Sequence, residues 1–150
     1  MIHQIYNNTQ VAGEVVPETV RTFPIAGREI TQYIQKILEE REGLKASSYA
    51  QHIKETYCYA CPNVQLEYDK YKANPEVCIK LFENHSVTFN VAHERFLATN
   101  LYFSPELFNP EFKTPLPEVL RNSLQHFEPS TQAQLCKVSI LIFSTRYFMY

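Results

Sequence analysis

The residues best suited to chemistry crowd into one stretch, IKETYCYACPN, residues 53–63. It carries a charged pair, Lys54 and Glu55, and a C-x-x-C pair, Cys58 and Cys61. A C-x-x-C can supply half of a four-ligand zinc site or act as a redox dithiol. Structural zinc needs a second pair of ligands at a sensible spacing. Cys78 and Cys136 stand alone, and no H-x-x-x-H lies nearby. A redox pair is expected at a helix start that follows a strand, where the dipole lowers a thiol pKa. Here the pair falls near a helix end, where the dipole has the opposite sign. The cysteines therefore read as small packing residues, with a metal or redox module as the alternative.

Other constellations are weaker. The five histidines do not cluster in the sequence, and no Ser/His/Asp or Cys/His order stands out. Glu39 and Glu40 belong to the run EEREG, which reads as a solvated helix face. Gly13, Gly27 and Gly43 are the only glycines, so neither a G-x-x-x-x-G-K-[ST] nor a G-x-G-x-x-G phosphate loop exists. Gly27 is of interest because IAGREI places it between a strand and a helix N-terminus. A ligand can approach the backbone closely there, and the helix end favours an anion. A strand-to-helix turn also uses glycine for geometry alone.

These residues must be positioned by elements that the hydrophobic pattern marks out. Residues 1–26 hold short apolar runs, read as two strands ending near RTFPIA. In GREITQYIQKILEERE, Ile30, Tyr33, Ile34, Ile37 and Leu38 form one stripe of an amphipathic helix, and Gly43 is its stop. SSYAQHIKETYCYA reads as a second helix, with Ser48 and Gln51 as a capping box and Tyr49, Ile53 and Tyr57 on one face. NVQLEYDKYKA is a third, shorter helix. VCIKLF and VTFNV, joined by ENHS, read as a hairpin with Val87, Phe89 and Val91 on one face. LPEVLRNSLQHF is a helix with Pro117 at its first position, and STQAQLCK a short one capped by Ser130. VSILIF is a last buried strand. The result is a mixed α/β chain without a regular βαβ rhythm.

Composition sets bounds. The 150 residues are 45% hydrophobic and 20% charged, as in an ordinary globular chain long enough to bury one core. A formal net charge of −2 gives no field that would draw nucleic acid or an anionic membrane. The N-terminus lacks the pattern of a secretory signal, and the apolar C-terminal run is interrupted by Arg146 and falls short of the roughly 20 residues of a membrane span. Unpaired thiols are expected.

Four segments, taken in order, carry a resemblance: FPIAGREITQYIQKILEERE, IKETYCYACPN, VTFNVAHERFLATNLYFSPELFNPEF and LPEVLRNSLQHF. Together they resemble the second half of the actin fold, over about His3 to Leu141. The ERFL run and the proline-aromatic punctuation resemble the actin-related subunit of the complex that nucleates branched actin filaments more than conventional actin.

The resemblance implies an ATPase-type architecture of the RNase H-like superfamily, in which two α/β halves clamp ATP with Mg2+ or Ca2+ held through the nucleotide. It implies that this chain is an incomplete half: residues 1–75 as the edge of subdomain 3 with subdomain 4, residues 76–141 as subdomain 3, and residues 142–150 as a divergent tail. The first half, with its phosphate loop and catalytic glutamine region, is not in this sequence. The second phosphate loop would lie just before Met1. By resemblance Gly27 stands beside the nucleotide, and Lys54 and Glu55 line the adenosine pocket as donor and acceptor. The arginine that conventional actin carries before that lysine is Gln51 here. Ile142, Phe143 and Ser144 stand where a Ser-Gly-Gly turn is expected, which points to a shifted reading frame, a retained intron or a fragmentary gene copy. The expected function is an actin-related fragment with a largely incomplete ATP pocket and no catalysis. It would act by contacts with actin and other subunits of the nucleating complex, in the cytoplasm and cytoskeleton, without nucleic acid or membrane. A C-x-x-C metal or redox module and an inactive truncated product are the alternatives. Separation from its other half should leave apolar surface exposed and favour self-association.

Overall fold

The computed structural model describes residues 5–7, 9–11, 13–84 and 87–137. The N-terminal segment forms two nested antiparallel pairs. Strand β1 (Ile5–Asn7) pairs with β4 (Arg21–Phe23), Ile5 opposite Phe23. Between them β2 (Gln10–Val11) pairs with β3 (Glu14–Val15). Gly13 makes that turn at φ +87°, a conformation that a Cβ would strain. The buried Thr19 hydroxyl secures the loop, donating to the Val16 carbonyl (2.7 Å) and accepting from the Thr9 amide (3.0 Å).

Helix α1 (Gly27–Glu42) is the central element and spans the residues its periodicity predicts. Ile30, Ile34 and Leu38 are buried, with Tyr33 packed beside them. Burying such side chains contributes about 1.5–3 kcal/mol each. Gly43, at φ +89°, ends the helix, and its amide donates to the Leu38 and Glu39 carbonyls.

The next segment differs from expectation. It is split into α2 (Leu44–Ser47) and α3 (Ala50–Thr56). The Ser48 hydroxyl donates back to the Lys45 carbonyl (2.8 Å), so it caps nothing, and the Ser48–Gln51 capping box does not form. The expected face survives: Ile53 is buried, and Tyr49 and Tyr57 pack on the core. Helix α4 (Val64–Ala73) is capped by the Asn63 side chain, which accepts from the Leu66 amide (3.0 Å), and α5 (Pro75–Cys78) follows.

The expected hairpin is present as β5 (Lys80–Asn84) and β6 (Val87–Val91), with Phe82 opposite Phe89 and their rings stacked at 4.8 Å. Cys78 lies ahead of it, in α5. Helix α6 (Glu94–Asn100) and a 3₁₀ turn at Pro105–Leu107 occupy the proline-punctuated segment. Helix α7 (Leu116–Leu124) buries Leu116, Val119 and Ser123, with Pro117 at its second position rather than its first. Helix α8 (Pro129–Lys137) begins two residues earlier than a Ser130 cap implies. The fixed φ of Pro129 suits a first helical position, and the Glu128 carbonyl accepts from the Gln132 amide (2.9 Å), so Ser130 is inside the helix and not its cap. The strand expected at VSILIF, the Ile142–Ser144 turn and His85 lie outside the described residues.

One hydrophobic cluster runs through these elements: Phe23 and Ile25, the α1 stripe, Ile53, Phe82 with Phe89 and Val91, Leu101, Leu116 and Val119. Among the described residues the strands form three separate two-stranded pairs around the helices, a mixed α/β arrangement without a βαβ crossover. No helix among them is long and apolar enough to cross a membrane.

Candidate functional site

The N-terminal turn of α1 and the C-terminal half of α3 meet at a polar cluster that contains Gly27, Lys54 and Glu55. Lys54 is half-buried, and its ammonium group donates to the Gly27 carbonyl (3.0 Å), the Thr31 hydroxyl (2.9 Å) and the Gln51 side-chain oxygen (2.9 Å). A lysine has three N–H donors, so all are committed within the chain. Burial pulls the Lys54 pKa below its ordinary value, opposed by the nearby Glu55 carboxylate and the Cys58 thiol. Glu55 is exposed and accepts from the Gln51 amide nitrogen. The structure therefore brings together the three expected residues.

Two members of the cluster, Thr31 and Gln51, carried no expected role in binding. Thr31 is buried, and its hydroxyl lies 2.8 Å from the Gly27 carbonyl and 3.0 Å from the Gln51 oxygen. The signal for both was helical spacing: Thr31 follows Gly27 by one turn, and Gln51 precedes Lys54 and Glu55 by one turn.

Gly27 adopts no positive φ, and a Cβ built there would meet only the Lys54 nitrogen, at 3.6 Å. That is ordinary contact. Neither the turn nor the packing of this chain requires glycine at 27, which removes the purely geometric explanation.

The adjoining helix end suits an anion less than the sequence implies. The Glu29 carboxylate reaches back and accepts from the Ala26 amide (3.0 Å), placing a negative charge where a phosphate would sit. Only this half of a capping box exists, because Ala26 has no side-chain acceptor. Among the described residues no group of three or more His, Cys, Asp or Glu side chains is placed to hold a metal ion. The cluster thus groups an ammonium, a carboxamide and an exposed carboxylate beside the α1 start, while the Glu29 carboxylate makes that helix end a poor place for a phosphate.

The C-x-x-C pair lies beyond the end of α3. Burial, reinforced by Glu94, pushes the Cys58 thiol up to about 12, and its sulfur donates to the Glu94 carbonyl (3.9 Å). Cys61 is raised too, chiefly by burial. Both shifts disfavour the thiolate, the form that attacks a disulfide. The segment is fixed instead by Arg95, which donates to the carbonyls of Tyr57 (3.2 Å) and Cys78 (2.7 Å) and lies over the Tyr59 ring. These contacts favour packing over the metal or redox alternative.

A second polar cluster ties the other end of α1. Arg41 donates through one nitrogen to the Asn90 carbonyl and to the fully buried Glu94 carboxylate, each at 2.6 Å. The same Glu94 oxygen accepts from the Ala92 amide (2.8 Å). Among the described residues, the other Glu94 oxygen, Arg41 Nε and His93 Nδ1 are buried without hydrogen-bond partners.

No protein-family profile matches the chain. Individual proteins do. It is 36% identical over 118 residues to actin-related protein 3 of Schizosaccharomyces pombe, which covers 75% of this chain and 28% of that protein. It is 37% identical over 123 residues to actin-related protein 3 of Dictyostelium discoideum, with 75% and 29% covered. It is 40% identical over 124 residues to actin-related protein 3 of Drosophila melanogaster, with 76% and 30% covered. The chain spans under a third of the length of these curated relatives, and it belongs to the actin family, in its actin-related protein 3 group.

Proposed function

We propose that the chain is a second-half piece of an actin-related subunit, built on the RNase H-like ATPase architecture. It works by contacts with actin and with other subunits of the complex that nucleates branched filaments, in the cytoplasm and cytoskeleton. Within it, Gly27, Lys54 and Glu55 form one wall of an adenosine site. The observation that carries the site is the Lys54–Gly27 contact at 3.0 Å, which joins the glycine turn to the Lys-Glu pair across distant parts of the sequence. If ATP binds, these residues hold its adenosine end. Lys54 presents a donor to the base, and Glu55 accepts from a ribose hydroxyl. The phosphates supply the chemistry in a complete actin-type ATPase; the Glu29 carboxylate at the α1 start disfavours an anion there, which supports a non-catalytic reading.

Titration of the folded chain with etheno-ATP, with and without magnesium, tests the site. The expected result is weak binding, indifferent to magnesium and lost in Lys54→Ala. Turnover of ATP above that of Lys54→Ala would refute the non-catalytic reading. Cosedimentation with actin filaments and with the purified nucleating complex tests the partner assignment, and failure to pellet with either would overturn it. Leu44, Leu66, Val77, Leu81 and Phe103 are exposed, which is the apolar surface that such contacts use.

A further inference from the structure

We propose that Gln51 decides whether this site is open. The inference rests on the adenosine reading above. Its side-chain oxygen accepts from Lys54 (2.9 Å) while its amide nitrogen donates to Glu55, so one neutral group occupies both members of the charged pair. The Thr31 hydroxyl lies 3.0 Å from the same oxygen and braces it. With Gly27 and Thr31 taking the other two Lys54 hydrogens, the lysine has no donor left for a ligand. An incoming nucleoside must displace Gln51, exchanging internal hydrogen bonds for its own, and the exchange lowers net affinity. Gln51 is exposed and on the surface of a short helix, so it can swing away without disturbing the core.

Gln51 is thus a positioning residue that acts through Lys54 and Glu55. Its substitution changes the lysine in two opposite directions. In Gln51→Ala the ammonium loses one acceptor, and its neutral form is favoured. In Gln51→Glu it gains a charged acceptor, and the ammonium form is favoured.

The test uses the whole chain, checked for folding by circular dichroism. Lys54 is acetylated with trace acetic anhydride, and its rate is compared by mass spectrometry with that of exposed Lys113. Labelling of Lys54 should rise severalfold in Gln51→Ala and fall below the parent in Gln51→Glu. Etheno-adenosine should bind Gln51→Ala about tenfold more tightly than the parent. Unchanged Lys54 labelling in both variants, or equal nucleoside affinity of parent and Gln51→Ala, would overturn the proposal. Labelling shifts in the expected directions with no nucleoside bound by any variant would support Gln51 as the residue that closes Lys54 off, and would count against the adenosine site itself.

Discussion

Helix α1 is tied to the rest of the chain by a polar cluster at each end, and the two differ in burial more than in chemistry. At its start, Gly27 and Thr31 meet Lys54, with the exposed Gln51 and Glu55 alongside. At its end, Arg41 meets Glu94, which is 0% exposed. Both join a cation to neighbouring oxygens. The Lys54 cluster opens to solvent, so its partners can exchange for a ligand at small cost. The Glu94 carboxylate is sealed, while Arg41 reaches it from a partly exposed position and also pairs with Glu42, so leaving that carboxylate without its cation is costly.

The largest expected effect comes from breaking the Glu94 cluster. Arg41→Met leaves the Glu94 carboxylate buried without its cation and should lower stability by about 3–5 kcal/mol in urea unfolding. The double variant Arg41→Met/Glu94→Met should regain much of that loss, because it removes both charges. A single variant within roughly 1 kcal/mol of the parent would show that the pair is more hydrated than it looks.

The next effect is titration of the same region. Burial holds the His93 imidazole below its ordinary value of 6.5, with Glu94 opposing and Arg41 reinforcing the shift. The folded state therefore binds this proton less readily than the unfolded chain. Stability from the neutral ring is complete above 6.5 and is lost as the pH falls through that value towards the folded pKa. Urea midpoints should drop on acidification, and His93→Phe should flatten that part of the curve. An unchanged slope in the variant would assign the pH dependence to other groups.

A smaller effect separates the two sulfur environments. Cys136 is exposed, whereas Cys58 is half-buried and its thiol is pushed up to about 12. Iodoacetamide should modify Cys136 long before Cys58 in the folded chain, and the difference should vanish in denaturant. Equal rates under native conditions would restore Cys58 as a reactive thiol.

The smallest stability change is expected in the open cluster. Lys54→Met should cost under about 1 kcal/mol, since the cluster is partly exposed and water can replace the ammonium at its acceptors. Its consequence should appear in ligand binding instead. A stability loss matching that of Arg41→Met would remove the contrast between the two ends of α1.

Much of this fold was legible because the decisive signals were periodic and local. The α1 stripe of Ile30, Ile34 and Leu38 and the Gly43 stop gave that helix its observed bounds. The alternation of Val87, Phe89 and Val91 gave the hairpin. Boundaries set by competing side-chain bonds were not legible. Ser48 could cap α3 or turn back to Lys45, and it turns back. In the site, local pattern and family resemblance pointed to Gly27, Lys54 and Glu55. They could not show that Gln51 and Thr31 saturate the lysine, because that depends on two helices meeting. Nor could they show that Glu29 folds back over the helix start. The Arg41–Glu94 pair, separated by α2–α5 and the whole hairpin, left no mark on the local pattern.

The most direct measurement is a parallel titration of the folded chain with etheno-adenosine, etheno-AMP and etheno-ATP, each with and without magnesium. The expected result is one weak affinity shared by all three, insensitive to magnesium and abolished in Lys54→Ala. Binding of etheno-ATP with magnesium about a hundredfold tighter than etheno-adenosine, a difference of roughly 2.7 kcal/mol, would reveal a phosphate cradle and contradict it.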